Sequence, residues 1–100
     1  MNVNKTEEKG KIILAPDGWL DTLSSTTLVE AVDALTEARE LVLDFEKVEY
    51  LSSAGLRAVV AASKKAKDLG AAFAVVNVGP EVLSIFKMTG IDRKLNISGK

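Results

Sequence analysis

Two consecutive hydroxyl side chains, Ser52 and Ser53, stand just before an apolar helical stripe that begins at Leu56. Serine is favoured at a helix N-cap, where its oxygen accepts a hydrogen bond from an amide of the first turn. An exposed serine at the same place is also a good phosphoryl acceptor, because the helix dipole and free amides stabilise the dianion by about 0.3–1 kcal/mol. On spacing alone, the pair is either a capping site or a phosphorylation site.

Three carboxylates offer a second candidate chemistry. Asp44, Glu46 and Glu49 lie close together at the end of an apolar run, where paired carboxylates could serve acid–base catalysis. Charged residues that leave a buried strand usually form a solvated loop, which is the interpretation we favour. Asp44 differs from the other two because it can lie at the carboxyl end of the strand, where sites form in open α/β sheets.

The residue types that most enzyme sites need are missing. The sequence has no His and no Cys, so the serines lack a conventional base and the usual ligands for zinc and other transition metals are absent. Gly10-Lys11 and Gly99-Lys100 lack the glycine-rich context of a phosphate-binding loop. We therefore expect no enzyme activity, no metal and no cofactor.

Composition excludes several classes of partner. Thirteen basic and 14 acidic residues give a net charge of −1, which argues against nucleic acid as a partner. The polar N-terminus contains no signal peptide or membrane span, so we expect a cytoplasmic protein that does not bind membranes. With 47% hydrophobic and 27% charged residues in 100, the chain is predicted to form one globular domain over residues 1–100.

Hydrophobic periodicity predicts alternating strands and helices. We expect an N-terminal hairpin of strands 3–7 and 12–15, the second closed by Pro16 and Gly18, a helix from Ser24 or Ser25 to about residue 38, and a strand at 41–45 covered on both faces. A second helix after Ser53 stops at Gly70, a strand covers 72–78, a third helix runs from Pro80 to just before Gly90, and 95–97 is a possible last strand.

This order predicts an α/β fold: a small mixed β-sheet of four to five strands with helices packed against it. Spacing also predicts which residues share the core. They are Leu28, Val32, Leu35, Leu41, Leu43, Phe45, Leu56, Val60, Val75, Val76 and Phe86.

Three segments of the sequence match one family. Tyr50-Leu51-Ser52-Ser53-Ala54-Gly55-Leu56-Arg57 resembles the signature turn of STAS-domain anti-sigma-factor antagonists. Gly18-Trp19-Leu20-Asp21 resembles the family's second-strand motif, and Phe86-Lys87-Met88-Thr89-Gly90-Ile91 resembles its close of helix three. The chain departs from the best-known members at Ser52, where they have Asp, and at Ala54, where they have Ser or Thr; Trp19 replaces the commoner Glu or Arg.

The resemblance implies the STAS fold and a partner-switching cycle. The unphosphorylated antagonist binds an anti-sigma factor that is also a serine kinase, the kinase phosphorylates it on the serine that is here Ser53, and a PP2C-type phosphatase resets it. It implies a monomer or weak dimer. The partner-binding residues it implies are Asp21, Ser52, Ser53, Ala54, Gly55 and Arg57.

Two expectations concern neighbours of the turn. Asp21 and Asp44 are expected to flank it, and Asp21→Asn is expected to lower phosphorylation with thermal stability nearly unchanged. Trp19 is either an exposed aromatic that partners touch or an aromatic packed on the sheet edge.

The alternatives to a switch are a constitutive STAS interaction subunit, such as a lipid-transport partner or a fragment of an anion-transporter tail, a small nucleotide-binding module, and an unrecognised enzyme.

Overall fold

The computed structural model describes residues 2–100. These residues form six strands, three α-helices and a 3₁₀ turn at Ile91–Arg93. The strands are β1 Val3–Glu8, β2 Lys11–Leu20, β3 Glu40–Asp44, β4 Lys47–Leu51, β5 Ala72–Val78 and β6 Ile97–Gly99; the helices are α1 Ser24–Asp33, α2 Ser53–Asp68 and α3 Pro80–Thr89.

The sheet is mixed, as predicted. Its strands follow the order β1-β2-β3-β5-β6, with β4 paired to β2. The β1–β2 hairpin is antiparallel and every other pairing is parallel. The sheet has six strands where four to five were expected, and the unpredicted one is β4. Its buried residues, Val48 and Leu51, are three positions apart, so its sequence lacks the two-residue alternation that signals a strand.

Strand β2 is longer than its sequence predicts because it changes partner halfway. Its first residues pair with β3 up to Leu14, and Asp17 onward pairs with β4. Pro16 falls between these two parallel ladders, so its missing N–H interrupts neither of them. The expectation that Pro16 and Gly18 close the strand was wrong. Gly18 instead adopts a φ of 80° where the pairing register with β4 shifts.

The core lies on one face of the sheet, between the strands and all three helices. Leu41 and Leu43 of β3 belong to the same buried cluster as the inward residues of α1, α2 and α3. Val42 points to the opposite face, beside Ile13 and Ala74 of the neighbouring strands. The expectation that β3 is covered on both faces is confirmed by burial, because Val42 is only 6% exposed, although it does not join the helix-covered cluster.

Helix α2 buries part of its predicted stripe, including Val59 and Ala66, but leaves the rest at the rim of the core. Its fully buried positions include Ala58, Ala62 and Ala66, whose small side chains let the helix approach its neighbours closely. Leu56 and Val60 are only partly buried, as is Val76 in β5, and the other predicted core residues are buried. Helix α1 ends at Asp33, earlier than the predicted residue 38, and α3 has the predicted bounds.

Candidate functional site

Ser52 caps helix α2 and ties it to the end of β2. Its backbone is extended, and its Oγ accepts a hydrogen bond from the Gly55 N–H at 3.2 Å. The same hydroxyl donates to the Leu20 carbonyl oxygen at 2.8 Å, which also accepts the Ser52 N–H at 2.9 Å. The Ser52 hydroxyl is therefore fully engaged in holding the turn.

Ser53 is the first residue of α2 and has a free hydroxyl. Its side chain is exposed, and no side-chain hydrogen bond within residues 2–100 involves its Oγ. Neither the Ser53 N–H nor the Ala54 N–H donates a hydrogen bond in this part of the chain. The two serines thus divide the roles that the sequence left open: Ser52 is the cap, and Ser53 is available for chemistry.

Gly55 is needed for the close approach of α2 to the sheet. A Cβ at this position would lie 2.6 Å from Leu51 Cδ1 and 2.7 Å from the Leu20 carbonyl oxygen. Gly55 is also buried, so it offers no side chain or exposed backbone to a partner. It positions the Ser53 turn, and its predicted place among the partner-binding residues is not supported by its burial.

Asp21 lies next to the turn and organises the loop that starts α1. Its Oδ1 accepts hydrogen bonds from the Leu23 N–H at 3.1 Å, the Ser24 N–H at 3.0 Å and the Ser24 hydroxyl at 2.9 Å. The backbone N–H of Ser24, followed by its hydroxyl, holds the pKa of Asp21 below its ordinary value. The expectation that Asp21→Asn leaves thermal stability nearly unchanged therefore omitted a structural contribution, since Asp side chains often bond nearby backbone N–H groups in this way.

Asp44 does not flank the Ser53 turn. Its strand β3 aligns with the first half of β2, and all of β4, aligned with the second half, lies between Asp44 and the turn. Five strand residues span about 16 Å at about 3.3 Å each. Asp44 Oδ1 instead accepts hydrogen bonds from the Glu46 N–H at 3.0 Å and from Asn77 Nδ2 at 3.1 Å. The unpredicted strand β4 is the reason that this expectation was wrong.

Two aromatic side chains are exposed near the same end of β2. Trp19 is 59% exposed, and its ring centroid lies 5.1 Å from that of Tyr50, its partner in the β2–β4 ladder. Trp19 therefore packs against its neighbour in the ladder while more than half of its surface remains accessible, and its contact with partners stays a prediction. The sequence does not reveal Tyr50 as its partner, because that pairing depends on β4.

Arg57 is exposed on α2, four residues after Ser53 and hence one helical turn away. Its side chain borders two surface grooves, one towards α1 and one towards the 3₁₀ turn. Arg57 and Ser53 thus share an accessible surface, and Asp21 is joined to it through the Leu20 carbonyl that holds Ser52.

The described residues 2–100 hold no group of three or more His, Cys, Asp or Glu side chains placed to bind a metal. None of the helices in this range is both long and apolar enough to span a bilayer. Glu46 forms an ion pair with Lys100 at 3.8 Å, and Asp44 is bonded as described above, so these two carboxylates have structural partners. The chemical feature left at the β2–α2 end is the free hydroxyl of Ser53.

The sequence and the fold of this chain were compared with those of known proteins. The STAS domain model matches residues 2–100. The anti-sigma-B factor antagonist of Bacillus subtilis (strain 168) is 27% identical over 101 residues, which cover 100% of this chain and 93% of the relative. The crystal structure of an anti-sigma factor antagonist from Mycobacterium paratuberculosis superposes with a TM-score of 0.87 at 25% identity, covering 99% of this chain and 86% of that one.

The fold also occurs outside the antagonists. A sulfate transporter family protein from Wolinella succinogenes has a TM-score of 0.82 at 15% identity, with 94% of this chain and 80% of that chain covered. At that identity the likeness concerns the fold alone. The family match over residues 2–100 establishes that this chain belongs to the STAS domain family, with anti-sigma factor antagonists among its relatives.

Proposed function

We propose that this chain is an anti-sigma-factor antagonist that acts as a phosphorylation switch. Unphosphorylated, it binds an anti-sigma serine kinase through the Ser53 turn; phosphorylated on Ser53, it releases that partner, and a PP2C-type phosphatase restores the binding form. Residues 1–100 act as one cytoplasmic STAS domain, as a monomer or weak dimer. The chain itself carries out no catalysis and needs no cofactor.

The observation that carries this proposal is that two adjacent serines differ in their hydrogen bonds and exposure. Ser52 Oγ is committed to Gly55 and Leu20, whereas Ser53 is exposed and has no side-chain hydrogen bond within residues 2–100. A kinase can therefore reach the Ser53 hydroxyl without breaking the cap of α2. The named antagonist relatives support the same role.

The start of α2 can carry a phosphate without unfolding. The first turn contains no acidic side chain to repel it, and the N–H groups of Ser53 and Ala54 are free of hydrogen bonds within the described chain. The positive end of the helix dipole favours an anion by about 0.3–1 kcal/mol at an exposed site. Phosphorylation is therefore expected to leave the fold intact and to act on binding.

The effect on binding follows from charge. A phosphoserine adds about −1.5 to −2 charges at neutral pH. Burying that charge unpaired against a partner costs about 2–5 kcal/mol, which weakens binding by roughly 30-fold to several thousand-fold. Release of the partner is thus the expected result of modifying Ser53.

The test uses the anti-sigma serine kinases encoded in the same genome, with ATP, and mass spectrometry to locate the phosphate. Ser53→Ala should abolish phosphorylation and keep binding, and Ser53→Asp should bind poorly while remaining folded. Ser52→Ala is the matched control and should still be phosphorylated. Phosphate on Ser52, or tight binding with no phosphorylation at all, would refute the switch; the latter would identify a constitutive interaction subunit.

A further inference from the structure

One side of helix α2 exposes apolar residues that its sequence pattern assigns to the core. Leu56 and Val60 are only partly buried, because the face that carries Ala58, Val59 and Ala62 occupies the interior instead. Together with Ile91 of the 3₁₀ turn they line a groove of about 390 Å³, bordered by Arg57 and Lys64. We call it the apolar groove.

A second groove adjoins the first at Lys64. Its volume is about 350 Å³, its floor includes Phe73 and Leu95, and Lys64, Lys67 and Lys94 stand around it. We call it the lysine groove. No acidic side chain lines either groove.

The cations around the two grooves have no carboxylate partners. Arg57, Lys64, Lys67 and Lys94 are all exposed, and the ion pair within residues 2–100 is Lys100 with Glu46. The chain as a whole has a net charge of −1, so positive charge is concentrated here beyond the average of its surface. Such a local field attracts an acidic partner and speeds its association.

Helix stability explains only part of this cluster. Lys67 lies in the last turn of α2, where a cation stabilises the helix dipole. Lys64 lies directly before that last turn, where the dipole effect is already weaker, and Lys94 lies outside the helix. These two lysines remain unexplained by local structure, although they border the same groove.

The two grooves continue the surface of the Ser53 turn. Leu56 and Arg57 follow Ser53 within about one helical turn, and Lys67 lies 14 residues beyond it, about 21 Å along the helix at about 1.5 Å per residue. A stable protein interface buries about 800 Å² on each partner, which is more than a single exposed turn provides. A partner bound at Ser53 therefore needs further contact area, and this side of α2 adjoins the turn.

We infer that the anti-sigma kinase of the proposed function covers both grooves with an acidic segment that also carries apolar side chains. The inference rests on that function and adds the chemistry of the partner's second contact. The apolar side chains of the segment pack on Leu56, Val60 and Ile91, and its carboxylates face Arg57 and the lysines. The contact gives affinity and orientation, while Ser53 provides the switch.

Charge reversal tests the lysine groove. Lys64→Glu combined with Lys94→Glu should raise the Kd for the kinase at least about tenfold at about 50 mM salt, and far less at about 1 M salt, where the screening length is about 3 Å. The KM for Ser53 phosphorylation should rise with kcat nearly unchanged. The control, Lys5→Glu with Lys11→Glu, makes the same change in net charge on exposed positions of β1 and β2 and should leave the Kd near that of the unchanged chain.

Amide chemical-shift mapping of the ¹⁵N-labelled chain with the kinase checks the footprint without any substitution. Amides of residues 56–67 and 94–96 should shift together with those of the Ser53 turn. An unchanged Kd in the lysine variant, or shifts confined to the turn, overturns the inference while leaving the switch intact. Failure of the unchanged chain to bind any of the kinases overturns both. Shifts of the groove with a single-stranded RNA but not with the kinase would assign it to a different polyanion and also overturn the inference.

Discussion

Replacing Gly55 with alanine sets two physical effects of opposite sign against each other. In an exposed helix interior, glycine is less favourable than alanine by about 1 kcal/mol, so propensity alone predicts that Gly55→Ala stabilises the protein. The added Cβ, however, would lie 2.7 Å from the Leu20 carbonyl oxygen and 2.6 Å from Leu51 Cδ1. The methyl group of Leu51 can rotate away, but the backbone carbonyl can move only with the strand.

The steric clash should outweigh the gain in helix propensity. Overpacking a well-packed site typically costs about 1–3 kcal/mol, and here the obstructing atom also accepts the two hydrogen bonds from Ser52. We expect Gly55→Ala to lower the free energy of unfolding by about 1–3 kcal/mol after the propensity gain is included. Displacement of Leu20 should also loosen the Ser52 cap, so the rate of phosphorylation at Ser53 should change as well.

Urea unfolding at neutral pH measures the first effect, and a kinase assay with the folded variant measures the second. Gly79→Ala is the control, because a Cβ at this ordinary-φ glycine meets no atom within 4 Å. It should cost no more than about 1 kcal/mol, from loss of a preferred N-cap residue. A Gly55→Ala protein as stable as the unchanged chain, or more stable, would refute the argument that steric contact at Leu20 requires glycine.

Three further substitutions test other parts of the account. Leu43→Ala should cost about 2–5 kcal/mol in urea unfolding, because Leu43 is 0% exposed in the central strand; a loss near zero would contradict its place in the core. Ser52→Ala should cost about 0.5–2 kcal/mol through loss of the cap, and a neutral result would show that the cap contributes nothing. Asp21→Asn should lower the Tm at neutral pH. It should also make the free energy of unfolding fall less steeply as the pH is lowered. Since the folded pKa of Asp21 is depressed, its contribution is complete above the unfolded pKa of about 4 and is lost as the pH falls through the folded value. The same loss of stability with falling pH in the unchanged chain and in the Asp21→Asn variant would contradict this assignment.

Residue type and spacing along the sequence were sufficient to predict most of the helices and strands. Helix α3 was predicted at its observed bounds because Pro80 and Gly90 mark its two ends by their own backbone preferences, and Gly90 has the left-handed φ of 77° that ends a helix. The apolar runs of β3 and β5 likewise identified strands, a buried one in β3 and one in β5 whose buried residues are Val75 and Val78. The serine pair before α2 indicated a helix start with two possible roles, and that is as far as residue type and spacing lead.

Tertiary structure decided what depends on partners distant in the sequence. Strand β4 is stable because β2 offers it a second ladder, and without β4 neither the separation of Asp44 from Ser53 nor the tilted contact of Trp19 with Tyr50 can be foreseen. The orientation of α2 is a second case, since Val59 is buried together with Ala58, Ala62 and Ala66, whereas Leu56 and Val60 stay partly exposed.

The roles of the two serines show the same limit on the finest scale. Sequence places both hydroxyls at the start of α2, and either one satisfies the preference for serine at an N-cap. Only the fold brings the Leu20 carbonyl, 32 residues away, within 2.8 Å of Ser52 Oγ and leaves Ser53 exposed. A hydrogen bond across that separation depends on how β2 and α2 meet, which no local propensity encodes.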